Sequence, residues 1–194
     1  VTATAVALDP LTQGWFHHGD QILSLVERYR PKVCVELGTW QGASAIPVAR
    51  AIRRWRGTVT CVDTWGGAID GDPTSMQPWM LLSCVRNMKQ AGVSGNVRLI
   101  ASTTTAAVQW WTEPIDYLYV DADHSYEGVL ADLRAWVPHV KPGGLILGDD
   151  YGSDTFPGVQ AAWDEFERER GLALTRYQST PPAAQNIQLI YGTA

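Results

Sequence analysis

Four aspartates and a histidine fall in two short segments, Val120-Asp121-Ala122-Asp123-His124 and Gly148-Asp149-Asp150-Tyr151, each closing an apolar, β-type run. If those runs lie side by side in one sheet, Asp121, Asp149 and Asp150 converge, and uncompensated carboxylates at such range repel one another. A hard divalent cation would relieve the repulsion, because Mg²⁺ takes oxygen ligands and keeps water or substrate oxygens in its remaining positions. Strand-end aspartates that accept hydrogen bonds or cap the following helices are the simpler alternative. His124 stands on the loop entering the next helix, within reach of a substrate held by the same ion. An imidazole titrating near ~6.5 suits proton removal from a cation-acidified hydroxyl, which makes His124 the candidate catalytic base.

A second constellation lies upstream, in the segment Val35 to Ser44 that reads VELGTWQGAS. Glu36, Gly38 and Gly42 close a strand and open a helix, so backbone can approach a ligand near the helix N-terminus. Taken alone, the loop also fits a tight turn with no ligand. About twenty residues beyond Gly42, Asp63 ends the next strand, where an acidic side chain can accept hydrogen bonds from both ribose hydroxyls of a nucleoside. A dinucleotide fingerprint begun at Gly38 would need glycine where this chain has Trp40, which argues against a nicotinamide cofactor. Ser44 either caps the helix or faces the ligand.

These residues are positioned by short β-branched runs that alternate with helical patterns, the signature of βαβ units and a parallel sheet. Strands are expected at Val33 to Leu37, Thr58 to Asp63, Val97 to Ile100, Ile115 to Asp121 and Gly144 to Asp149. Helices are expected at Ala43 to Arg56, Pro78 to Ala91, Thr103 to Trp111, Tyr126 to Val137 and from about Pro157 to Arg170. Pro142-Gly143-Gly144 reads as a sharp turn, and Leu172 to Gln178 with Asn186 to Tyr191 as a closing antiparallel hairpin. Segments 12–20 and 65–77 fall outside the alternation and are candidate lids, the second following a strand at the ligand-binding edge.

The chain of 194 residues suits one domain, 1–194, and its 45% hydrophobic and 18% charged residues with nine tryptophans belong to a globular protein. A net charge of -5, with no basic run beyond Arg53, Arg54 and Arg56, speaks against nucleic acid as a partner. No apolar run approaches the ~20 residues that cross a bilayer. Cys34, Cys61 and Cys84 lack metal-type spacing and read as buried thiols, so a cytoplasmic protein is expected.

The order ELGTWQGAS, then CVDTW, resembles the first two motifs of class I S-adenosylmethionine-dependent methyltransferases. The resemblance implies that Glu36, Gly38 and Gly42 hold the methionine end of S-adenosylmethionine and Asp63 its ribose. It also implies a Rossmann-like, doubly wound, mostly parallel seven-stranded α/β sheet with a C-terminal antiparallel hairpin. The stretch IDYLYVDADHSYEGVLADLRAWVPHVKPGGLILGDDY resembles the branch that includes metal-dependent sugar and natural-product O-methyltransferases. There Asp121, Asp149 and Asp150 match the cation ligands, Mg²⁺ being expected, and His124 the base. The implied partner is a small-molecule hydroxyl acceptor, with neither nucleic acid nor membrane, and a homo-oligomer is compatible with this. A metal-independent methyltransferase and a nonenzymatic S-adenosylmethionine-binding module are the alternatives.

Overall fold

The computed structural model describes residues 18–66, 78–178 and 188–194. Its strands are β1 (Val33–Leu37), β2 (Thr58–Asp63), β3 (Val97–Ala101), β4 (Ile115–Val120), β5 (Val140–Tyr151), β6 (Thr175–Gln178) and β7 (Gln188–Thr193). The helices are α1 (Gly19–Tyr29), α2 (Ala45–Ile52), α3 (Pro78–Gln90), α4 (Thr104–Ala107), α5 (Tyr126–Trp136) and α6 (Pro157–Arg170). All seven strands join one sheet in the order β3-β2-β1-β4-β5-β7-β6. The first five run parallel, and β7 pairs antiparallel with both β5 and β6. The expected doubly wound sheet with a closing antiparallel pair is therefore what forms. Because β1 is flanked by β2 and β4, the strand order reverses there, and a crevice opens at the carboxyl ends of such strands.

Both faces of the sheet are covered, as the continuous apolar character of its parallel strands requires. Val35, Leu37, Leu118, Val120 and Ile146 pack with Leu130, Leu133 and Trp136 of α5 and Trp163 and Phe166 of α6. On the opposite face Cys34, Tyr117, Tyr119, Leu145 and Leu147 pack with Ile22, Leu25 and Val26 of α1 and Ala45, Ile46 and Ala49 of α2. Side chains alternate along a strand, so Glu36, in register with Tyr119, shares this second face. Cys34, Cys61 and Cys84 are buried free thiols, and burial pushes each thiol's pKa upward, which keeps it protonated and inert.

Four elements differ from expectation. Helix α1 was not foreseen: its inward residues Ile22, Leu25 and Val26 have helical spacing, but the residue before it, His18, makes no side-chain cap bond that would announce a start. The segment after β3 yields only one α-turn, capped by Thr103, before tightening into a 3₁₀ turn at Val108–Trp110. Helix α2 likewise tightens at Arg53–Trp55. Strand β5 begins at Val140 rather than after the Pro142-Gly143-Gly144 turn, which here becomes a bulge between pairings with Ile115 and Tyr117. Gly143, at φ +79, donates its N–H to the Ala194 carbonyl, so the chain's last residue braces the bulge. Among the described residues no helix is long and apolar enough to cross a membrane.

Candidate active site

The loop after β1 is seated on the end of β4. Gly38 has φ +82, and a Cβ there would stand 1.9 Å from the backbone oxygen of Asp121, so only glycine permits this approach. The Asp121 N–H donates to the Leu37 carbonyl at 2.9 Å, tying the two strand ends together. Gly42, at φ +90, would with a Cβ press on the Met88 methyl at 2.6 Å. Glu36 is buried and accepts the Ser44 hydroxyl at 3.0 Å. Burial pushes its carboxyl up to about 8, against the lowering effect of Ser44 and Thr39. Ser44 makes no cap bond, and its hydroxyl is spent on Glu36.

Asp63 holds two loops at once. Its Oδ2 accepts the backbone N–H groups of Thr39 at 2.9 Å and Trp40 at 2.7 Å, and its Oδ1 accepts that of Trp65 at 2.6 Å. A carboxylate offers about four acceptor positions, so room for a further donor remains. The Trp65 indole N–H donates to the Trp40 carbonyl at 2.7 Å, fastening the same loops from the other side. Trp65 is therefore a buried packing residue. Most of the two candidate lids lies outside the described residues. Of lid segment 12–20, only His18, Gly19 and Asp20 are described, the last two forming the first turn of α1.

At the neighbouring strand ends, donor atoms of Asp121, His124 and Asp150 all lie within 4.8 Å of one another. His124 Nε2 is 2.8 Å from Asp150 Oδ2 and 3.5 Å from Asp121 Oδ1, and its ring packs on Phe156 with centroids 4.5 Å apart. Burial lowers the His124 pKa, but hydrogen bonds to Asp121 and Asp150 outweigh it and hold the imidazole up at about 10. Burial raises the Asp121 carboxyl, with Asp149 and Asp150 adding to the rise and His124 opposing it. Two carboxylates in this arrangement suit a hard divalent cation, with the His124 imidazole beside it.

The third expected carboxylate, Asp149, has partners of its own. Asp149 Oδ2 accepts the Tyr119 hydroxyl at 2.7 Å, Oδ1 accepts the Asp150 N–H at 2.9 Å, and His18 Nε2 stands 3.4 Å from Oδ1. Burial raises this carboxyl, but His18 and Tyr119 bring it below its ordinary value. The reason is local backbone geometry. Pairing of β5 with β7 is irregular between Gly148 and Tyr151, and Asp150 stands at φ +57, so the two neighbouring carboxylates find different partners. Of the non-glycine residues at positive φ, Trp40, Trp65 and Asp150 belong to these loops, and such strain gathers at ligand-handling sites. Sequence reasoning missed Tyr119 and Phe156. Tyr119 was within reach of it, since its strand parity matches that of Glu36.

A crevice at the reversal of strand order, a glycine-seated loop and an acidic residue closing the second strand are the features of the class I methyltransferase fold. The chain belongs to the methyltransferase domain family, which matches residues 35–151. It is 31% identical over 139 residues to the uncharacterized protein y4gI of Sinorhizobium fredii; this covers 70% of the chain and only 15% of that longer protein. Similar folds include cofactor-bound Rv0187 from MTB, with TM-score 0.76, 18% identity and coverage of 99% of this chain and 84% of that one. The O-methyltransferase from Bacillus cereus in complex with SAH gives 0.75 and 17%, covering 97% and 84%. TomG from Streptomyces achromogenes, an O-methyltransferase in complex with SAM and involved in tomaymycin synthesis, gives 0.68 and 19%, covering 91% and 79%.

Proposed function

We propose that the protein is a divalent-cation-dependent O-methyltransferase, with Mg²⁺ as the ion, acting on a hydroxyl of a small molecule such as a sugar or natural product. The observation that carries this reading is the contact between Gly38 and the Asp121 backbone, which sets the Asp121–His124–Asp150 group directly beside the cofactor loop. Glu36, Gly38 and Gly42 would hold the methionine end of S-adenosylmethionine, and Asp63 its ribose. Asp121 and Asp150 would supply oxygen ligands to the cation. When bound, that ion supplies Lewis acidity, lowering the pKa of a chelated hydroxyl. With a cation on Asp121 and Asp150, their hold on His124 would weaken, and Nε2 would be the group placed to take the hydroxyl proton. The oxyanion then attacks the sulfonium methyl in line, and S-adenosylhomocysteine leaves as a neutral thioether. Residues 1–194 would act as one domain, with 12–20 and 65–77 as lids excluding water. Three buried, protonated thiols support a cytoplasmic setting.

The test is transfer of labelled methyl from S-adenosylmethionine across a panel of hydroxylated acceptors, before and after chelation and dialysis. Turnover is expected to fall by about 100-fold or more and to return with added Mg²⁺. Full activity in the chelated enzyme would make the acidic group structural. Cofactor binding without transfer to any acceptor would favour a binding module instead.

A further inference from the structure

Resting on that reading, we infer that His18 is a positioning residue: acting through Asp149, it fixes the backbone turn that aims the Asp150 carboxylate at His124. His18 is fully buried at the start of α1, whose other inward residues Ile22, Leu25 and Val26 are apolar. An apolar side chain would fill the same space without burying two polar nitrogens, and neither ring nitrogen has a well-aligned hydrogen bond. What the ring does have is Asp149, with Nε2 3.4 Å from Oδ1. The same Oδ1 accepts the Asp150 N–H at 2.9 Å, while Tyr119 holds Oδ2. Asp149 thus clamps the amide of the next residue at the point where the backbone enters the left-handed region, Asp150 having φ +57. That turn sends the Asp150 carboxylate away from its neighbour and to within 2.8 Å of His124 Nε2. Without His18, the buried Asp149 carboxylate loses the ring that stands against Oδ1 and is free to rotate off the Asp150 amide.

His18→Phe and His18→Gln separate this role from simple packing, since glutamine can return a donor to Asp149 and phenylalanine cannot. In a metal-free crystal structure of His18→Phe the 2.8 Å contact between Asp150 and His124 is expected to be lost, and in His18→Gln to be retained. Calorimetric titration of each protein with Mn²⁺ alone is expected to show affinity about 10- to 100-fold weaker for His18→Phe and recovered in His18→Gln. If His18→Phe does not fold, His18→Asn, polar but too short to reach Asp149, carries the same two measurements with the outcome expected of phenylalanine. A folded His18→Phe or His18→Asn protein that keeps the Asp150–His124 contact would overturn the inference. Failure of the unaltered protein to bind Mn²⁺ would instead count against the cation reading, and the crystallographic comparison would still decide the role of His18.

Discussion

Replacing His124 with glutamine is expected to lower kcat by about 10²- to 10⁴-fold, the usual contribution of a positioned general base, with S-adenosylmethionine affinity nearly unchanged. The side chain lies off the cofactor loop and touches Asp121, Asp150 and Phe156. Glutamine can keep a hydrogen bond to one carboxylate but has no basic nitrogen to receive a proton. Such a loss confined to kcat would mark an interaction realised in the transition state. The pH profile offers a second reading of the same variant. The metal-free imidazole, held at about 10, is protonated at neutral pH and cannot serve as a base. The Mg²⁺-loaded enzyme should therefore show an acidic limb on which the rate rises with pH, centred below the metal-free value, and His124→Gln should lack it. Steady-state rates across pH with saturating cofactor check both outcomes; kcat within tenfold of the unaltered enzyme would remove His124 from the chemistry.

The second large effect is structural. Gly38→Ala places a methyl 1.9 Å from the Asp121 carbonyl oxygen and 2.6 Å from the Ala122 Cα, both backbone atoms, at a φ of +82 that L-residues avoid. Neither neighbour can swing aside, so β1 and β4 must part where Asp121 N–H meets the Leu37 carbonyl. Overpacking and the left-handed conformation together are expected to cost about 2–5 kcal/mol of stability. Because the displaced segment joins the cofactor loop to the acidic group, cofactor and cation affinity should fall together. Gly143→Ala is the control: φ is +79 but nothing lies within 4 Å of the added methyl, so about 1–2 kcal/mol of backbone penalty is all that is expected. Denaturant melts of the two variants, with calorimetry of S-adenosylmethionine binding, distinguish these outcomes.

Much of this site was legible in the chain because strand ends announce themselves. Val33 to Leu37 and Thr58 to Asp63 are apolar runs with sharp polar ends, and in a parallel sheet those ends share one edge, which places Glu36, Gly38 and Asp63 near one another. What stayed hidden depended on direction rather than position. Asp149 and Asp150 look like a pair in sequence, yet with the backbone turn at Asp150 one carboxylate meets Tyr119 and the other His124. His18 gave no signal because its partner lies more than a hundred residues away, and helix α1, which carries it there, starts without a recognisable cap. Ser44 illustrates the same limit: its place before α2 suggests a cap, and only the buried carboxylate of Glu36 reveals the other use of its hydroxyl.

The central claim, that a cation sits between the cofactor loop and His124, is tested most directly by anomalous diffraction from crystals grown with S-adenosylhomocysteine and Mn²⁺. One strong peak is expected at coordination distance from the Asp121 and Asp150 carboxylates, with the cofactor ribose on Asp63. Well-ordered cofactor with no anomalous peak among Asp121, His124 and Asp150 would contradict it.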